Sequence, residues 1–154
     1  MPADLDPWLE LTVEEAIDPD LPICDPHHHL WDKPGDRYMI DELTADTGSG
    51  HNVVQTQFVE VDSMYRASGP TEMKPVGEVE WVNGIGAQSD SGSYGPTRVA
   101  AGIIGYAVLN LGAAVRPVLE AMELDSGGRF RSVATRAVGT NMNLYDPTGP
   151  DIPG

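Results

Sequence analysis

The run Val99-Ala-Ala-Gly-Ile-Ile-Gly-Tyr-Ala-Val-Leu109 carries no charged side chain. It is too short for a membrane helix, which takes ~18 or more apolar residues. It also lacks the alternation of a strand with one face in water. It reads as a strand buried on both faces, the habit of a parallel sheet. Parallel neighbours need long crossover connections, usually helices, and the flanks supply them. Downstream, Asn110 can cap a helix in which Leu111, Val115, Val118, Leu119 and Met122 share one face. Pro117 must kink that helix or mark a restart. Gly127-Gly128 ends it, and Phe130–Val138 follows as a fourth strand.

Upstream, Leu21–His29 reads as the first strand and Val53–Val61 as the second. Trp31–Gly50 reads as a long loop with one helical turn at Met39–Leu43. Thr71 is the expected N-cap of a helix running to about Ile85, with Glu72 in its first turn. Its apolar positions Met73, Val76, Val79 and Val82 recur at i+3 and would drift around an ideal helix. Strand alternating with helix predicts an α/β chain with about four parallel strands and crossover helices. Gly84-Ile-Gly86 is not preceded by a strand, so it does not indicate a dinucleotide site.

Chemistry concentrates at the end of the first strand, in Cys24-Asp-Pro-His-His-His-Leu-Trp-Asp32. Side chains at i and i+2 of a strand point to one side. His27 and His29 are therefore set to chelate one divalent metal, a common role of neutral imidazole. Cys24 precedes them on the strand and is expected as a buried core thiol rather than a ligand. The run is internal and set in a strand-like context, unlike a tag.

Together with its surroundings this segment resembles the amidohydrolase-related family, metal-dependent hydrolases and lactonases built on a TIM barrel. Asp25, His27, His29, Trp31 and Asp32 match that family's opening pattern. The resemblance continues through Phe58-Val-Glu60, Ser63-Met-Tyr-Arg-Ala67, Pro75-Val-Gly-Glu-Val-Glu80, Gly95-Pro-Thr-Arg-Val99 and Gly127-Gly-Arg-Phe-Arg131. It implies the N-terminal half of a (β/α)8 barrel, since a whole barrel takes ~250 residues and the chain has 154. It also implies hydrolysis of a C–O or C–N bond in a lactone-like or amide-like small molecule. The cofactor implied is a divalent metal, zinc first, held weakly by His27 and His29. The family's remaining ligands and its acid/base aspartate lie on later strands. Activity is thus expected only when a second half completes the barrel, through a homodimer or a complementing C-terminal half. Alternatives are a non-catalytic half-barrel that binds a small molecule or a subunit, and a relic reading frame. Relatives often carry an Arg-His pair after the fourth strand's opening; here those places are Ala134 and Thr135, with Arg136 following.

Other residues carry two readings each. Glu60 and Asp62 are expected at the end of the second strand, where a carboxylate could orient a histidine or form an ion pair lining the mouth. Tyr65 and Arg66 follow directly and could hold an anionic or hydroxylated substrate; the alternative for Arg66 is a solvated cation on a loop. Trp31 is expected to pack the first loop.

Composition narrows the partners. A formal charge of −15 disfavours nucleic acid and anionic membrane surfaces, which attract basic patches. The acidic N-terminus lacks the basic and apolar regions of a signal peptide, and one cysteine allows no internal disulfide. A cytoplasmic protein is expected. The chain divides into a lead at 1–20, a partial barrel at 21–138 and a Pro/Gly-rich tail at 139–154.

Overall fold

The computed structural model describes residues 14–135. Most of the lead, the tail, the end of the expected fourth strand and Arg136 lie outside that span. In chain order the elements are β1 (Pro22–His28), β2 (Trp31–Lys33), β3 (Asp36–Tyr38), α1 (Ile40–Thr47), β4 (Asn52–Val59), α2 (Val76–Asp90), β5 (Arg98–Tyr106), α3 (Arg116–Asp125) and β6 (Phe130–Ala134). Strands β1, β4, β5 and β6 form one parallel sheet in that order. Sequential order is compatible with half of a barrel; four strands do not by themselves close one.

The helices pack on one face. A Cβ on Gly105 would lie 3.1 Å from Val79 Cγ2 of α2 and 3.0 Å from Met122 Sδ of α3, so both helices meet the same side of β5. Phe58, Val99 and Ile103 from the sheet join Val76, Val79, Val82, Val118 and Met122 in one buried cluster. The i+3 row Val76, Val79 and Val82 turns through about 120° of α2 at ~3.6 residues per turn, which is still the width of one apolar stripe, and all three are buried.

Several expectations change. Val99–Leu109 is not buried on both faces throughout: Ala101, Ile104 and Tyr106 are half-exposed and Val108 and Leu109 exposed, because no described element covers the other side. Cys24 is exposed rather than buried for the same reason. The stretch 31–50 is not a loop with one turn. It holds an antiparallel hairpin, β2–β3, around Pro34-Gly35, followed by the eight-residue helix α1. Gly35 has φ 75°, a conformation that glycine takes without strain. Trp31 packs within this hairpin, stacking on Tyr38 at 5.2 Å and donating to Asp36 Oδ1 at 2.9 Å.

Helix starts also move. Thr71–Met73 is a separate 3-10 turn, and α2 begins after Pro75 with no side-chain cap. Asn110 likewise caps no α-helix: Leu109–Val115 is a 3-10 stretch broken at Gly112, and α3 restarts with Pro117 in its first turn. Proline fits there because its fixed φ suits the helix and the missing N–H has no partner to lose. Among the described residues no helix is long and apolar enough to cross a membrane.

Candidate functional site

The three histidines split between two environments. His28 turns into the core and is 6% exposed. Its Nε2 lies 2.9 Å from Thr56 Oγ1, which itself accepts the Ala100 N–H at 3.0 Å. A hydroxyl can accept two hydrogen bonds while donating one, so the direction of this contact follows the tautomer of the neutral imidazole, whose Nδ1 is buried without a hydrogen-bond partner. Burial pushes its pKa down to about 4. The ring sits edge-on to Phe58 with centroids 5.9 Å apart.

His27 and His29 turn the other way, as the period of a strand requires. Their Nε2 atoms are 3.2 Å apart. His29 Nδ1 is 2.8 Å from the Val59 carbonyl oxygen, which can only accept, so Nδ1 donates to it; in the neutral ring the lone pair is then on Nε2, within hydrogen-bond distance of His27 Nε2. A carbonyl on the other ring nitrogen is the usual way a metal-binding imidazole is oriented. The Asp25 carboxylate accepts the His27 backbone N–H at 3.0 Å and holds the turn before the pair. Two nitrogens sharing a tetrahedral zinc at ~2.0–2.1 Å lie roughly 3.3 Å apart, so the observed spacing fits one shared divalent ion. No group of three or more His, Cys, Asp or Glu side chains arranged for a metal occurs among the described residues.

The end of β4 lies beside this pair, since Val59 supplies the carbonyl that orients His29. The loop that follows is held by a residue the sequence reading did not single out. Glu78, on α2, is 0% exposed, and its Oε1 accepts the N–H groups of Val61 at 3.1 Å and Ser63 at 2.7 Å. Its Oε2 is buried without a hydrogen-bond partner. Burial raises its carboxyl to about 7; the two amide donors work against the rise, and the charges of Glu60 and Asp62 add to it. The loop needs such a clamp, because Asp62 (φ 61°) and Met64 (φ 53°) both sit in the left-handed region, which costs non-glycine residues energy. Gly77 lets the loop settle onto the helix: a Cβ there would lie 2.6 Å from Met64 O and 2.7 Å from the Arg66 nitrogen. The signal available in the sequence was a glutamate inside the row Val76, Val79, Val82.

Tyr65 and Arg66 lie on this loop. The Tyr65 hydroxyl donates to Asp62 Oδ1 at 3.0 Å, and burial raises the phenol well above its ordinary pKa. The Arg66 guanidinium is engaged by carboxylates on two helices, Glu80 of α2 (Nε to Oε2, 3.1 Å) and Asp125 of α3 (3.1 Å). A separate shallow hollow of about 520 Å³ between α1 and α2, lined in part by Arg37, Trp81 and Tyr94, includes none of the histidines.

Compared with family models, curated proteins and solved structures, the chain finds no match.

Proposed function

We propose that this chain is the N-terminal half of a hydrolase of the amidohydrolase-related type, in which His27 and His29 hold a divalent metal, zinc first. One observation carries the reading: the two Nε2 atoms at 3.2 Å, with His29 oriented through Nδ1 by the Val59 carbonyl. Sequential parallel strands with α2 and α3 on one face support it, because a barrel keeps its helices outside and its site at the carboxyl ends of the strands. A zinc ion bound there would lower the pKa of a bound water to ~7 and polarise a scissile carbonyl.

The chain's own residues bind and orient. His29 is fixed in one tautomer; Glu78 fixes the loop that carries Asp62 and Tyr65; Tyr65 and Arg66 are the contacts proposed for a lactone-like or amide-like substrate. Two imidazoles fill half of a tetrahedral site, so metal binding by these residues alone is weak, and turnover needs the strands that complete the barrel. A binding half-barrel without catalysis is favoured by one observation: the Arg66 guanidinium is already taken by Glu80 and Asp125.

Zinc titration against a competing indicator tests the reading. The native chain should bind one zinc weakly, and the double variant His27→Ala with His29→Ala should lose at least roughly tenfold in affinity. Equal binding by native and variant chains would remove the pair from any metal role.

A further inference from the structure

The face of the sheet turned away from α2 and α3 holds a polar hollow of about 170 Å³, lined by Cys24, Gln55, Gln57, Arg98, Gly102 and Arg131 among others. Its side is fixed by the glycines of β5. A Cβ on Gly102 would meet Gln57 Oε1 at 3.1 Å and Arg131 Cγ at 3.3 Å, whereas one on Gly105 meets the helices. The lining belongs to the first half of β5, the start of β6 and the middle of β1 and β4, below the histidine end.

The charge of this hollow runs against the composition. The chain has 24 acidic and 9 basic residues, yet two arginines converge here and no carboxylate is among the lining residues. Arg131 donates to neutral carbonyls only, those of Gly128 and Phe130 at 2.9 Å and of Ala101 at 3.4 Å. Arg37, Arg66 and Arg129 each form ion pairs, whereas Arg98 and Arg131, like Arg116 on α3, form none among the described residues. In water that is no difficulty. Under a protein cover it is, because a buried cation needs an anionic partner to offset the lost hydration.

We propose that this face docks a complementary set of barrel strands carrying carboxylates at the level of Arg98 and Arg131, and that it excludes a second copy of this chain. The proposal rests on the half-barrel part of the reading above and not on the metal. In a closed barrel all strands run the same way, so a second copy would bring its own Arg98 and Arg131 to the same level. Four guanidinium groups would then face one another around the axis with no carboxylate between them. Charge juxtaposition of that kind suppresses wrong partners.

The only cysteine in the sequence, Cys24, lies in the hollow and reports whether the face is covered. The test mixes the native chain with its double variant Arg98→Glu plus Arg131→Glu and follows sedimentation velocity and the rate at which a disulfide reagent labels Cys24. Expected are a native chain that stays monomeric with a reactive thiol, and a 1:1 mixed dimer in which labelling slows by about tenfold or more. The neutral variant Arg98→Gln plus Arg131→Gln, checked for native circular dichroism, should self-associate more strongly than the native chain; it decides the matter if the charge-reversed variant does not fold. Native self-association equal to that of the mixture, or no association in the mixture and in the neutral variant, overturns the proposal. So does slowed labelling by inorganic phosphate with no dimer in the mixture, which would mark a small-anion site. Zinc titration on the same samples separates the two readings: dimerisation can fail while the histidine pair binds, and the pair can fail while the mixed dimer forms.

Discussion

The two faces of one sheet behave as different materials. Phe58 and Ile103, pointing at the helices, are 0% exposed, and Val99 is 1% exposed. Their neighbours along the same strands, Gln55, Gln57, Ala101 and Ile104, are half-exposed. Strand alternation puts both sets within one residue of each other, so the backbone does not distinguish them; the cover does. Helices α2 and α3 supply an apolar lid on one side, and the other side carries glutamines and arginines that tolerate water. The described residues complete one hydrophobic core and leave the second face of the sheet polar and partly exposed. The long apolar run 99–109 alone suggests a far more exposed apolar face than the structure has, because small residues occupy part of its open side.

The sharpest way to break this comparison is to empty the covered face. Phe58→Ala removes a fully buried ring that touches His28 and Trp81 edge-on, at centroid distances of 5.9 and 6.4 Å. Truncating a buried phenylalanine costs about 3–5 kcal/mol through lost transfer energy and a residual cavity. Urea unfolding of the described core should show that loss. A cost near 1 kcal/mol would mean the helices do not pack on the sheet as a cooperative unit.

What the sequence made legible follows the same division. Period-two alternation sufficed to put His27 and His29 together and to send His28 the other way. Hydrophobic period sufficed for the strands, for Val76, Val79 and Val82 of α2 and for Val118 and Met122 of α3; Leu111, expected on the same face, is exposed and lies in the 3-10 stretch before α3. Hairpin β2–β3 escaped because its strands, Trp31-Asp-Lys33 and Asp36-Arg-Tyr38, are three residues each and two-thirds charged; its one local signal was Pro34-Gly35. Cys24 is exposed where a core thiol is expected because burial of one sheet face depends on what packs there, and nothing near residue 24 encodes that. Glu78 escaped because its role depends on amides 15 and 17 residues away in the chain; its place in the apolar row Val76, Val79, Val82 marks it as buried but does not say what it holds.

Glu78 sharpens the comparison at the boundary between core and mouth. Its carboxyl is raised from 4.5 to about 7, chiefly by burial. A group whose folded pKa lies above its unfolded value contributes stability that is full below the unfolded value and is lost as pH rises through the folded one. The native chain should therefore lose stability from this group between about pH 4.5 and 7. Glu78→Gln does not titrate and can keep an oxygen for the Val61 and Ser63 amides. Relative to native, the variant should gain on the order of 1–3 kcal/mol as pH rises through that window. Thermal melts of both chains at several pH values check this. A difference that stays constant with pH would mean the carboxyl is hydrated in solution and the loop is held by something else.

The smallest effect is expected one residue from the largest. Gln57 neighbours Phe58 on β4 but faces the open side, where its amide donates to the Pro26 carbonyl at 3.1 Å in an exposed setting. Gln57→Leu forfeits one solvent-exposed hydrogen bond and adds apolar surface that stays wet in the isolated chain, so neither term is large. Surface changes of this kind fall within about ±0.5 kcal/mol, roughly a tenth of the Phe58→Ala cost. The same urea unfolding measures it, and the contrast between adjacent residues removes any difference in strand position. A loss above about 1.5 kcal/mol would show that the open face is already packed in the isolated chain. Cys24 would then be slow to label before any partner is added, and both the two-face comparison and the docking of a complementary half would fall together.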